Sequence, residues 1–327
     1  MKLCRSCISI FLAVFLCTQT LLAYAANNYP LTSPIVQKAI TEIQTHYVWS
    51  IERTLLEQRC LLASQQVGSE EPKINACITA MMESLDRRSS YFDPSKTKEL
   101  TAQVHTQQAD TASIRVESLF NGDMGYIAIL RFLNDTKELI SLKTSGFLSQ
   151  TQPLTGFIID LRNCPGGILQ SVIDVAGLFL PYNTLIGSLE TRRASSQKQK
   201  LFTSARSLKH GDVSSILKTI PLIVLVNHNT EGGAELLAAA LKESGRATII
   251  GNATAKKGDV QKIIPLSDES FLKLTTHIMV TSSGNLINEV GVKVDIESSN
   301  RDLSDIGPRL EDDPVIKKAY AKFKSNI

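Results

Sequence analysis

Gly156-Phe157-Ile158-Ile159-Asp160-Leu161-Arg162-Asn163-Cys164-Pro165-Gly166-Gly167 decides how this chain is read. A short, continuous apolar run bounded by turn residues reads as a strand buried on both faces. The Pro-Gly-Gly turn then hands the chain to a helical pattern over 167–180. Backbone N–H groups at such a turn favour negative charge, which is how an oxyanion hole is built from main chain alone. A plain tight βα turn is the bland alternative, since Gly-rich turns are common.

Outward from this stretch the texture repeats. Residues 126–132 read as a strand, 135–147 as a helix, 221–226 as a strand, 234–243 as a helix and 247–251 as a strand. Strands alternating with helices imply βαβ crossovers and a largely parallel sheet. Segments 260–266 and 271–280 flank Ser267-Asp268-Glu269-Ser270 and read as a hairpin at that sheet's margin. Upstream, residues 34–85 are helical in pattern, broken at 68–72, and 101–113 is polar, Gln-rich and without period, as expected of a linker.

Composition removes several classes of function. The 327 residues are 43% hydrophobic and 20% charged, which excludes disorder. Lys plus Arg number 35 against 32 Asp plus Glu, and a formal charge of +3 is too small for the electrostatic footprint of a nucleic-acid binder. No P-loop, H-E-x-x-H, G-x-G-x-x-G or G-x-S-x-G pattern occurs, and the five histidines lack metal-ligand spacing. No metal and no cofactor are expected.

Residues 1–25 carry Lys2 and Arg5, an apolar run and Ala23-Tyr24-Ala25. They read as a signal peptide cleaved before Ala26, too interrupted by polar residues for a spanning helix, which implies a periplasmic or secreted protein. Of six cysteines, Cys4, Cys7 and Cys17 leave with the signal, and Cys60, Cys77 and Cys164 remain. In an oxidising compartment Cys60 and Cys77 are candidates for a disulfide between neighbouring helices; two buried thiols are the alternative.

Two further segments carry candidate chemistry. Val224-Leu225-Val226-Asn227-His228-Asn229-Thr230-Glu231-Gly232-Gly233-Ala234-Glu235 is a buried strand meeting a helix start, with Thr230 as the expected N-cap. Two glycines in a first helical turn imply close backbone approach. Gly251-Asn252-Ala253-Thr254-Ala255-Lys256-Lys257-Gly258-Asp259-Val260-Gln261 puts Lys257 in a turn between strands. Such a lysine is either a solvated charge or, if buried, a base.

Together these segments resemble the C-terminal processing peptidases, or tail-specific proteases, which use a Ser–Lys dyad. The resemblance also runs through Met82-Glu83-Ser84-Leu85-Asp86, Ser89-Ser90-Tyr91-Phe92, Gly125-Tyr126-Ile127, Gly245-Arg246-Ala247, Pro265-Leu266-Ser267-Asp268 and Glu311-Asp312-Asp313-Pro314. It implies an α/β fold with a crotonase/ClpP-like core of βαβ units at 116–300, a helical N-terminal region at 26–96 and a C-terminal tail helix within 301–327. Carried over by position, Lys257 falls on the general base, Gln261 on the accessory glutamine, and Gly166, Gly167 and Gly233 on the oxyanion-hole region.

The nucleophilic serine of the family falls on Gly232. Glycine has no hydroxyl, so Lys257 has nothing to activate, and losing a serine nucleophile costs on the order of 10⁶ in rate in a well-studied case. The PDZ domain usual in the family, about 90 residues, has no room in 93–124, leaving a linker at 97–115. Cys164 and Thr230 are the nearby hydroxyl- or thiol-bearing substitutes, one expected to be buried and the other engaged with backbone. The expectation is an exported pseudopeptidase that binds peptide or unfolded protein segments, with no nucleic acid and no stable membrane span. An active endopeptidase with an unrecognised nucleophile, and a homo-oligomer or a non-enzymatic partner of an envelope protease, are the alternatives.

Overall fold

The computed structural model describes residues 29–107, 113–148, 154–193, 197–204, 213–267, 269–298 and 309–325. The expected signal peptide, with Cys4, Cys7, Cys17 and the cleavage point at Ala26, lies outside them. The strands are β1 (Ser90–Phe92), β2 (Ile114–Leu119), β3 (Met124–Ile129), β4 (Gly156–Asp160), β5 (Leu185–Glu190), β6 (Lys198–Phe202), β7 (Leu222–Val226), β8 (Thr248–Gly251), β9 (Asp259–Ser267), β10 (Ser270–Thr281) and β11 (Ile296–Glu297). The chain divides into two compact units, one of residues 1–107 and 261–276, the other of 108–260 and 277–327.

In the first unit, helices Pro34–His46, Arg53–Ser64 and Glu70–Glu83 bury Val36, Ile40, Ile43, Leu56, Ile78, Met81 and Met82. Cys60 and Cys77, both buried, are joined by a disulfide that ties the second of these helices to the third. β1 pairs antiparallel with residues 271–273 of β10, and Phe92 stacks on Phe271 with ring centroids 4.6 Å apart. Asp86 holds the turn before β1, accepting from the Arg88 and Ser89 amides at 2.7 and 2.8 Å, and the Ser89 hydroxyl accepts from the Thr275 amide at 3.0 Å.

The second unit is built on a six-stranded sheet ordered β11-β8-β7-β4-β3-β2. All neighbours are parallel except β2, which runs antiparallel to β3. The continuous apolar runs of β3, β4 and β7 follow from cover on both faces. Ile127, Ile129, Phe157, Ile159, Val224 and Val226 share one core with helices Leu169–Phe179 and Gly233–Glu243. The alternating residues Tyr126, Ile158, Ile223 and Leu225 pack instead with Val315, Ile316, Ala319 and Phe323 of helix Pro314–Lys324.

Several expectations change. The stretch read as a linker at 97–115 carries most of helix Pro94–Gln107 and the start of β2. Helix 167–180 begins only at Leu169, because Gly167 forms a parallel bridge with Phe132. β9 and β10 do form a hairpin, but β10 pairs with β1 and β5 and not with the parallel sheet. Antiparallel β5 and β6 were not anticipated at all. Among the described residues no helix is long and apolar enough to cross a membrane.

Candidate functional site

The turns after β4 and β7 are laced together by polar side chains. Asn227 accepts from the Asn163 amide at 2.9 Å and donates back to Asn163 Oδ1 at 2.9 Å, and Asn229 donates to the same oxygen at 3.0 Å. The Glu231 N–H donates to the Cys164 carbonyl at 2.9 Å. These bonds force the two Gly-rich turns into contact. A Cβ on Gly166, whose φ is +83°, would lie 2.9 Å from the Glu231 carbonyl and 3.0 Å from the Gly233 nitrogen. Only glycine permits that approach.

Thr230 is fully buried and engaged, but not as the N-cap expected of it. Its hydroxyl donates to the Leu161 carbonyl at 2.8 Å and accepts from the Asn227 amide at 3.0 Å, and the N-cap of helix Gly233–Glu243 is Gly232. The Gly232 backbone has φ +57° and ψ −117°, a conformation that costs an L-residue about 1–3 kcal/mol. Space is not the obstacle there. A Cβ would meet only the Lys257 carbonyl at 3.6 Å and Met279 Cε at 3.9 Å, ordinary contacts.

The side chain that organises this corner is Glu235, fully buried in the first turn of the helix. Oε2 accepts from the Gly232 and Lys257 amides at 3.0 and 2.9 Å, and Oε1 from the Lys256 amide at 2.9 Å and the Thr254 hydroxyl at 2.5 Å. One carboxylate thereby pins the Gly232 and Lys257 main chains beside each other. Burial pushes its carboxyl above the usual carboxylate range, and the Thr254 hydroxyl and the three amides pull back against that rise.

Lys257 is neither deeply buried nor free. Its side chain is 42% exposed, and Nζ is paired with Glu231 Oε1. Glu231 is the residue that sequence reasoning passed over. It lies beside Gly232 in the quoted segment, and nothing in its spacing to Lys257 announces that the two side chains meet.

Gly167, with φ +143°, runs so close to Phe132 that a Cβ would fall 2.3 Å from its carbonyl oxygen. The Gly166 amide, in the expected oxyanion region, donates a hydrogen bond to the Cys164 thiol. Cys164 is free but fully buried, and burial pushes its thiol up to about 11 despite that bond. The Gly233 N–H, at the first helical position, has no intrahelical acceptor by position. Gln261 belongs to the first unit, where its amide reaches Thr275 Oγ1 at 3.5 Å.

Beneath the turn after β4 lies a buried ionic cluster. Arg162 pairs with Asp160 at 2.6 Å and with Asp313 at 2.7 Å, all three side chains being at most 5% exposed. The Tyr126 hydroxyl donates to Asp160 at 2.8 Å, and Asp313 caps helix Pro314–Lys324 by accepting from the Val315 amide at 2.7 Å. Burial opposes the charge on Arg162, but the two carboxylates outweigh it and raise its basicity.

The site is thus a mainly parallel sheet whose two Gly-rich βα turns meet beside a lysine-bearing loop. A family model described as Peptidase family S41 matches residues 123–298, and the chain belongs to that family. It is 35% identical over 177 residues to the carboxy-terminal-processing protease of Bartonella bacilliformis, covering 54% of this chain and 38% of that protein. It is 29% identical over 215 residues to the carboxy-terminal processing protease CtpB of Bacillus subtilis, covering 62% and 41%. The chain thus spans less than half the length of these relatives. Among solved structures, the photosystem II D1 C-terminal processing protease is similar in fold, with a TM-score of 0.65 at 18% identity over 82% of this chain and 94% of that one. A lipoprotein from Streptococcus agalactiae has a TM-score of 0.65 at 17% identity over 90% and 96%.

Proposed function

We propose that this chain is an exported, PDZ-less member of the S41 family whose hydrolytic site is impaired and which binds peptide or unfolded protein segments beside its sheet. The observation that carries the reading is the Gly232 corner. A strained turn of the kind that presents a nucleophile at a strand-to-helix junction persists there, pinned by Glu235 to the lysine loop, yet the residue has no side chain to attack with. In this reading Gly232 stands at the nucleophile position, Lys257 at the general-base position, Gln261 at the accessory position, and Gly166, Gly167 and Gly233 in the oxyanion-hole region.

Neither substitute nucleophile supports an active enzyme. Cys164 is buried with its thiol raised, and the Thr230 hydroxyl is committed to the Leu161 carbonyl. The Cys60–Cys77 disulfide supports an oxidising, exported compartment. Binding of a fluorescently labelled unfolded polypeptide, followed by anisotropy and by the polypeptide's intact mass, tests the proposal. Saturable binding with the mass unchanged is expected. Absence of binding, or mass loss that stops on Lys257→Ala, overturns it.

A further inference from the structure

The glycine at 232 is the change that the sequence displays; the Glu231–Lys257 ion pair is one that only the fold displays. We propose that Glu231 is a latch on Lys257, a second and independent lesion, so that restoring a hydroxyl at position 232 does not by itself restore a working dyad. The inference rests on the dyad reading of Gly232 and Lys257.

Both partners are fixed at the main chain before their side chains meet. Glu231 is held through its N–H to the Cys164 carbonyl, and its own carbonyl accepts from the Ala234 amide at 3.0 Å. Lys257 is held through its N–H to Glu235. With both backbones set, the Glu231 carboxylate takes the Lys257 ammonium as its direct partner. A general base must offer a lone pair toward the hydroxyl it activates, and an ammonium bound to a carboxylate offers none. The two side chains are 26% and 42% exposed, so the pair is reachable by water and by small reagents, and its removal leaves no buried charge behind. Glu231 would therefore act as a positioning residue: it decides where the amine points, while touching no substrate.

The latch is read by two measurements on the full chain. The first is trace acetylation of Lys257 at fixed pH, quantified by mass spectrometry against the exposed neighbour Lys256. In Glu231→Gln, which keeps the volume and removes the charge, Lys257 should acetylate severalfold faster than in the native chain. The second is labelling by a serine-directed fluorophosphonate, compared between Gly232→Ser and Gly232→Ser combined with Glu231→Gln. General acid–base assistance is worth ~10²–10⁴-fold, so the combined variant should label at position 232 at least about tenfold faster than the single one.

Equal acetylation of Lys257 with and without Glu231 overturns the latch, as does labelling of both serine variants at the same measurable rate. Faster acetylation in Glu231→Gln, with neither serine variant labelled although both melt cooperatively, leaves the latch standing and removes the dyad reading instead. An unchanged thermal midpoint in Glu231→Gln separates this positioning role from a structural one.

Discussion

Two ionic clusters lie just past the ends of neighbouring strands, and they have opposite characters. Beyond β4, Arg162 sits between Asp160 and Asp313 with all three side chains buried and fixed to a helix cap. Beyond β7, Glu231 and Lys257 form a pair that is partly open to water. Ionised groups withdrawn from water must be paired, so the first cluster can change only at a heavy cost, whereas half-exposed charges are cheap to add or exchange. The difference teaches that a corner held by partly exposed charges can accept change while the buried scaffold beneath it stays fixed.

That contrast is breakable at graded cost. The largest effect belongs to Arg162→Met, which strands two buried carboxylates and should lower the stability of the second unit by about 3–5 kcal/mol in a denaturant titration. Loss of less than a third of that would show the cluster to be as dispensable as the surface pair. Next is Glu235→Gln. An amide offers one acceptor oxygen where the carboxylate serves four donors, and its NH₂ must face an N–H; about 1–3 kcal/mol should be lost, with faster amide exchange at Gly232 and Lys257.

Gly232→Ser should cost about 1–3 kcal/mol in the same titration, because the strain lies in φ and not in space. A loss above roughly 3 kcal/mol would mean that the turn does not accept a side chain. The smallest effect is a pH response at the C-terminal helix. Hydrogen bonding to Lys324, with Thr155 and Tyr320, holds the Asp123 carboxyl at about 2. A depressed carboxyl contributes its stability fully above the unfolded value near ~4 and loses it as pH falls through about 2. Hydrogen exchange in helix Pro314–Lys324 should therefore rise between those limits, and Asp123→Asn should abolish that rise.

What could be read from the chain beforehand divides along physical lines. β3, β4 and β7 are covered on both faces, so their apolar runs are unbroken and legible. β6 is exposed at four of its five positions, and nothing in its composition announces a strand. Helix Pro94–Gln107 has no apolar period strong enough to separate it from a linker. At the candidate site, Gly166, Gly232, Gly233 and Lys257 were singled out through the family resemblance, and the structure brings the turns and the loop that carry them together. Gly167 was legible as a glycine, but its bridge to Phe132 depends on a residue 35 positions away in the chain. Glu231 was invisible for the same reason: an ion pair across 26 residues is a product of how the turns close.

An impaired hydrolytic site predicts no turnover. The purified chain and its Lys257→Ala variant, incubated with the same mixture of unfolded proteins, should yield identical sets of new C-termini by mass spectrometry, none above the background of the mixture alone. New termini produced by the native chain and absent with Lys257→Ala would contradict it.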